Sequence, residues 1–339
     1  MIARLVTHML GTKAGIGALE TVTVDPALLA EQGETVSRAA FAMAMNVVLF
    51  HGLLDRVPSG RAYVDEIRAR GGRVTFDHGA LRTIRFAYGP TGSLPPGEDA
   101  FTRILRPLGY DMAAVYPLDR LRMTGRAYRH ADAPAVIPQF FLSELHVDRF
   151  DAEFEAAAHR VFDASADPLD DAALALLATF ATDGQAPFDR AAASLRAIVS
   201  AFDRQHPLPA FEDYQLLLSR SNEAAWIATE GNAFNHATDR VANVAALADR
   251  LRADGRPVKD KLEISMSGRV RQTAFRADSV EREFAGRRLK TVPGSFFEFI
   301  SRDIDPATGA IDLAFDTGNA TGIFAMTQAS KAIANSKVD

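Results

Sequence analysis

The chain has 339 residues and a mass of 36.7 kDa, with 43 acidic and 38 basic side chains and a formal charge of −5. Its 47% hydrophobic and 24% charged residues are the proportions of a globular chain, which excludes a disordered or fibrous one. The acidic balance argues against a binder of nucleic-acid phosphates. The absence of cysteine excludes disulfides, thiolate metal sites and thiol nucleophiles, leaving Asp, Glu and 8 His as metal donors.

The first residues, MIARLVTHMLGTKAG, hold only a brief apolar run and lack the charged start and long apolar core of a signal peptide. No segment reaches the roughly 18–20 apolar residues that span a bilayer. A soluble, cytoplasmic protein is expected. GTKAGIG has glycines but no strand before it, so it is not read as a nucleotide loop. Residues 26–70 read as helical, with Pro26 in a first turn, apolar residues at three- and four-residue spacing as far as Leu54, and a second helix over 60–70 stopped by Gly71-Gly72. The most apolar stretch, 39–54, contains Asn46 and His51 and reads as a buried helix.

The pattern then changes to period two. In RVTFDH, Val74, Phe76 and His78 are expected to share one strand face. After the loop YGPTGSLPPGEDA come a short helix over 98–108 and strands over 112–118, 122–130 and 136–147. Residues 151–229 are Ala- and Leu-rich with helical periodicity and read as an insertion that walls a pocket; DPLDD at 167–171 reads as a helix cap. Period two returns in GNAFNHATDRV. An amphipathic helix follows, with Val244, Leu247 and Leu251 on one face and Gly255 as its stop. KLEISMSG alternates Leu262, Ile264 and Met266, and RVRQTAFRA and GSFFEFISRD read as further strands.

The order strand–helix–strand–strand–strand therefore occurs twice, over 72–148 and 230–304. Each copy opens with the same HxxxR spacing, His78 with Arg82 and His236 with Arg240, and ends on related runs, IPQFF and VPGSFF. The expected class is α+β. The expected division is an N-terminal helical segment (1–71), a first βαβββ module (72–148), a helical insertion (149–229), a second module with a pocket-closing segment (230–325) and a tail (326–339).

Glu298 stands out. In SFFEFIS both strand faces are apolar apart from this carboxylate, and a buried carboxylate needs an Arg, a His or a metal. A Glu–Arg pair would satisfy it, and a lone strand histidine is commonly a satisfied core residue. His78 and His236 at equivalent repeat positions, with one isolated Glu on a late strand, instead compose a 2-His-1-carboxylate set, suited to Fe(II) with open positions for substrate and O₂. The other six histidines (8, 51, 130, 146, 159 and 206) read as structural or exposed. No G-x-S-x-G elbow, Walker A loop or HExxH is present.

FDHGALR, FNHATDRV, KLEIS with the following SG and VRQTAF, VPGSFFEFISRD and GNATGIF resemble the 2-oxoadipate dioxygenase/decarboxylase family, also called hydroxyglutarate synthase, of the vicinal oxygen chelate superfamily. The resemblance spans roughly 30–325 and is strongest over 230–325. It implies paired βαβββ modules around a metal cavity, Fe(II) held by His78, His236 and Glu298, and Arg82 on the substrate's distal carboxylate. It implies a polar pocket residue shortly before GIF, here Asn319 where a serine is expected; Gln272 in the VRQTAF strand is placed to face the same pocket. The implied reaction consumes a small 2-oxo acid and O₂, releases CO₂ and hydroxylates the shortened acid, so that 2-oxoadipate gives 2-hydroxyglutarate. Nucleic acid and membrane are not expected partners. Two other readings stay open: a non-oxidative lyase or isomerase using Zn²⁺ or Mn²⁺ as Lewis acid, and a small-acid binding protein.

Overall fold

The computed structural model describes residues 1–315; Asn319 and the 326–339 tail lie outside the described residues. The first 25 residues, which show little pattern, form helices α1 (Ile2–Leu10) and α2 (Thr12–Thr21), so GTKAGIG lies largely within a helix. Helix α3 (Pro26–Leu29) starts on Pro26, with Asp25 accepting from the Ala27 N–H. The helical reading of 26–70 is then interrupted by strand β1 (Thr35–Ser37), whose last residue caps α4 (Arg38–Arg56) by accepting from the Ala40 N–H. Helix α5 (Pro58–Ala69) follows.

The first module contains β2 (Phe76–Arg85), α6 (Asp99–Leu105), β3 (Tyr110–Leu118), β4 (Met123–His130) and β5 (Gln139–His146). The next stretch holds α7 (Ala152–Phe162), α8 (Asp171–Asp183), β6 (Gln185–Pro187), α9 (Phe188–Ser200), α10 (Phe211–Arg220) and α11 (Asn222–Glu230). Asp170 of DPLDD caps α8 through the Ala173 N–H, and β6 pairs with β1. The second module contains β7 (His236–Arg240), α12 (Val244–Ala253), β8 (Glu263–Ile264), β9 (Val270–Ala274), β10 (Ser279–Phe284), β11 (Arg288–Pro293) and β12 (Phe296–Arg302). A small pair, β13 (Ile304–Asp305) and β14 (Ala310–Ile311), ends the described chain.

Eight strands make one curled half-barrel sheet in the order β3-β4-β5-β2-β7-β12-β9-β8. The order is a mirror image about the β2–β7 junction. In each module the first strand pairs in parallel with the last, and the two first strands meet antiparallel. The repeat read from sequence is therefore a pseudo-twofold pair of βαβββ units, with β10 and β11 as an added hairpin between β9 and β12.

The two faces of the sheet have different coverings. Leu81, Phe140, Phe297 and Phe299 pack with α1, α4, α8 and α9 in the main core, where Phe50 and Tyr63 meet Phe297 at 6.1 and 5.5 Å. The other face carries His78, Ala80, Phe141 and Glu298. Its end near Ile84 and Leu145 is covered by Phe154 and Phe162 of α7 and Trp226 of α11.

Two expectations about strand faces fail. Phe76 does not share a face with His78: the register shifts between them, a bulge that turns Phe76 into the core against Phe50 (4.9 Å). Leu262, Ile264 and Met266 do not form a buried stripe, since Ile264 is 56% and Met266 98% exposed, and Glu263 points inward instead. β8 is a two-residue strand at the edge of the sheet, paired with β9.

Candidate metal centre

Strand register alone brings the three candidate ligands together. His78 on β2 lies opposite Thr238 on β7, which lies opposite Glu298 on β12. His236 is two residues before Thr238 and shares its face. All three side chains are buried, and one donor atom from each lies within 4.8 Å of the other two. His78 Nε2 is 3.2 Å and His236 Nε2 3.7 Å from Glu298 Oε2.

Both histidines are oriented by the residue before them. His78 Nδ1 donates to Asp77 Oδ1 at 2.8 Å and His236 Nδ1 to Asn235 Oδ1 at 3.2 Å, which directs each Nε2 into the site. Gly79 follows His78 because the Phe234 ring lies where a Cβ would stand, 2.3 Å away. The Thr238 hydroxyl donates to Glu298 Oε2 at 2.7 Å and lies 3.1 Å from His78 Nε2.

The electrostatics follow from burial against these partners. Burial disfavours the imidazolium of His78, but Asp77 and Glu298 outweigh it and raise its pKa. His236 faces only a neutral amide on its other nitrogen; burial dominates and lowers it to about 3. Burial would raise the Glu298 carboxyl, yet His236, His78 and the Thr238 hydroxyl hold it down near about 2. Glu298 Oε1 is buried with no hydrogen-bond partner among the described residues, and such an oxygen costs roughly 1–3 kcal/mol unless something coordinates it. Two imidazole nitrogens and a carboxylate with an uncommitted oxygen fit a divalent first-row metal.

The pseudo-symmetry also explains why one carboxylate is present and not two. His78 pairs with Gln139 and His236 with Phe296, so the position matching Glu298 in the first module is Phe141. Phe141 fills that place with a ring packed 5.0 Å from Phe315.

Residues 64–309 match the family described as 2-oxoadipate dioxygenase/decarboxylase. The chain belongs to this family. A relative named chloroplastic 2-oxoadipate dioxygenase/decarboxylase, from Arabidopsis thaliana, is 23% identical over 309 residues, covering 81% of this chain and 74% of its own. Among solved structures, a glyoxalase-superfamily protein from Ralstonia eutropha JMP134 is 52% identical with a TM-score of 0.88, covering 94% of this chain and 98% of that one. The hydroxyglutarate synthase of Oryza sativa, solved with 2-oxoadipate, is 18% identical with a TM-score of 0.68 over 88% of this chain and 97% of that one, a likeness of fold. The paired modules are the vicinal oxygen chelate architecture expected from the motifs.

Within this family member, Arg82 stands four residues beyond His78 in unbroken register with β5. It is buried beneath the Trp226 ring, 5.2 Å from its centroid, near the charge of Glu223; burial lowers its pKa to about 10. Its repeat counterpart Arg240 instead reaches Ala135 O (3.1 Å) and lies 3.8 Å from Asp77. Gln272 is on the site face, opposite Ile300, and donates to Glu263 Oε2 at 3.2 Å; Lys259 also pairs with Glu263. Asn319 falls outside the described residues. Of the other histidines, His206 and His130 are buried and His159 pairs with Asp163 at 2.9 Å. Sequence reasoning passed over Thr238 and Arg302, although even spacing from His236 and Glu298 puts both on the site face. Trp226 carried no signal, because only the packing of α11 against β2 brings it there.

Proposed function

We propose that the chain is an Fe(II)-dependent dioxygenase that oxidatively decarboxylates a 2-oxo acid and hydroxylates the shortened acid, with a 2-oxoadipate-like dicarboxylate as substrate and a 2-hydroxy acid such as 2-hydroxyglutarate as product. The observation that carries this reading is the buried convergence of His78, His236 and Glu298, in a family described by that activity. The hydroxyglutarate synthases of Oryza sativa and Pseudomonas putida have both been solved with 2-oxoadipate.

His78, His236 and Glu298 would hold the metal on one side, leaving its other positions toward the pocket. When bound, Fe(II) supplies a chelation point for the 2-oxo acid and the activation of O₂. The remaining roles belong to the protein. Asp77 and Asn235 keep each Nε2 aimed at the metal. Arg82, about 13 Å along the strand from His78 at roughly 3.3 Å per residue, holds the far carboxylate of a six-carbon diacid and so sets which carbon faces the metal. Phe141, Phe296 and Phe315, whose rings meet His236 or one another at 4.6–5.0 Å, exclude water.

An oxygen electrode with protein loaded anaerobically with Fe(II) tests the reading. O₂ uptake should require a 2-oxo acid and match CO₂ release one for one. His236→Ala should lose metal and turnover together. Turnover of the acid without O₂ would instead support a Lewis-acid lyase or isomerase.

A further inference from the structure

One guanidinium joins the surroundings of His78 to the chain running past the site. Arg302 ends β12, four residues after Glu298, and its side chain is 0% exposed. Its Nε donates to Asp77 Oδ2 at 2.9 Å and its Nη2 to Asp77 Oδ1 at 2.9 Å. Its Nη1 donates to the carbonyls of Asp312 (3.0 Å) and Ala314 (2.7 Å). The same Asp77 Oδ1 accepts from His78 Nδ1 at 2.8 Å.

The segment held in this way turns back onto the site. The Phe315 N–H donates to Tyr116 Oη at 3.1 Å, and the Phe315 ring meets His78 edge-on at 4.8 Å. The contact is confined to one module. The residue matching Asp77 before His236 is the neutral Asn235, and the position matching Arg302 on β5 is Leu145, by the same register that relates Phe141 to Glu298.

We propose that Arg302 is a positioning residue that couples the seating of residues 312–315 over the site to the orientation of His78. The proposal rests on His78 being a metal ligand. The guanidinium is charged and buried, so it requires the Asp77 carboxylate. That carboxylate fixes the His78 ring, and the remaining donors fix two backbone carbonyls that place Phe315 against the ring's edge. A lysine has no planar fork and cannot serve both sides at once. Coupling between sites is reciprocal, so metal on His78 tightens the segment as much as a seated segment tightens metal binding.

Hydrogen exchange of a peptide covering 303–315, with and without Co²⁺, tests this alongside Co²⁺ titration. In the unmodified protein Co²⁺ should slow that exchange about fivefold or more, within the usual range of coupling between sites. Arg302→Lys and Asp77→Asn should abolish the slowing and weaken Co²⁺ binding about 10- to 100-fold, the usual effect of altering the groups that stand behind a metal ligand. The Asp77→Asn variant retains an acceptor for His78 Nδ1, so faster exchange at 303–315 in it reports on the link and not on lost contact with the ring. Variants that lower the melting temperature yet keep Co²⁺ affinity and the metal-dependent slowing make Arg302 merely structural and overturn the proposal. Co²⁺ binding without any slowing in the unmodified protein overturns it even where neither variant folds. Absence of Co²⁺ binding removes the metal reading and the coupling together.

Discussion

Arg82, four residues after His78, is the residue on which the proposed preference for a diacid rests. Arg82 is buried at one end of the site face, its guanidinium under the Trp226 ring, while the candidate ligands lie at the other. A flat, weakly hydrated fork suits this place better than an ammonium, which must shed a tighter water shell and cannot bind a carboxylate bidentately. Arg82→Lys should lower kcat/KM for a dicarboxylic 2-oxo acid by ~1–3 kcal/mol, the scale of a lost charge-assisted hydrogen bond. Turnover of a monocarboxylic 2-oxo acid should change much less. Steady-state kinetics on both substrates, with melting curves, check this; equal losses on both would assign Arg82 to the fold and not to the substrate.

Helix α11 is the element that covers the Arg82 end of the site face. It brings Trp226 and Glu223 to Arg82 and is tied down along its length. Trp226 Nε1 donates to Gly294 O (3.2 Å), Glu230 pairs with Arg282 (2.5 Å) and Arg56 (3.3 Å), and His206 Nε2 donates to Ala228 O (2.9 Å). His206 is buried against Phe162, and burial lowers its pKa to about 4 from an ordinary 6.5. A depressed folded pKa means that the unfolded chain takes up the proton first. His206 therefore contributes stability that is fully present above pH 6.5 and is lost as pH falls toward 4. The window corresponds to up to roughly 3 kcal/mol, at 1.36 kcal/mol per pH unit. His206→Gln should flatten the fall in melting temperature between pH 6.5 and 4 relative to the unmodified protein. Calorimetry at several pH values measures this, and parallel curves would show that His206 does not titrate with unfolding.

At the scale of the molecule, the stretch between the modules is not a separate body. Phe180, Leu195 and Ile198 of α8 and α9 pack into the core shared with α1 and α4 on one side of the sheet. Phe154, Phe162 and Trp226 of α7 and α11 pack against Ile84 and Leu145 on the other. The two sets of helices thus bury their apolar stripes against different layers, with the sheet between them. Residues 149–229 expressed alone should therefore show little helix and no cooperative thermal transition, since short helices without a partner surface are marginal in water. A sharp calorimetric transition for that fragment would show an independent unit.

Much of this organisation is written in local pattern. Period-two runs and Gly/Pro breaks located seven of the eight sheet strands to within a few residues, and the duplicated HxxxR spacing announced two modules, because alternation and turn chemistry are properties of neighbouring residues. The candidate ligand trio was legible because a buried carboxylate between phenylalanines needs a partner and two histidines stand at equivalent repeat positions. Other features depended on contacts between distant residues. The bulge that turns Phe76 away from His78 answers to Phe50, twenty-six residues earlier. Ile264 and Met266 alternate like core residues but lie exposed on and just beyond an edge strand. Trp226 over Arg82 and Arg302 on Asp77 join residues 144 and 225 positions apart. The sequence by itself determined which side chains could ligate a metal and on which strands they stand. Only tertiary structure decided that Thr238 lies between His78 and Glu298 on one rung, and which buried groups support them, because register between strands is set by packing across the sheet and not along the chain.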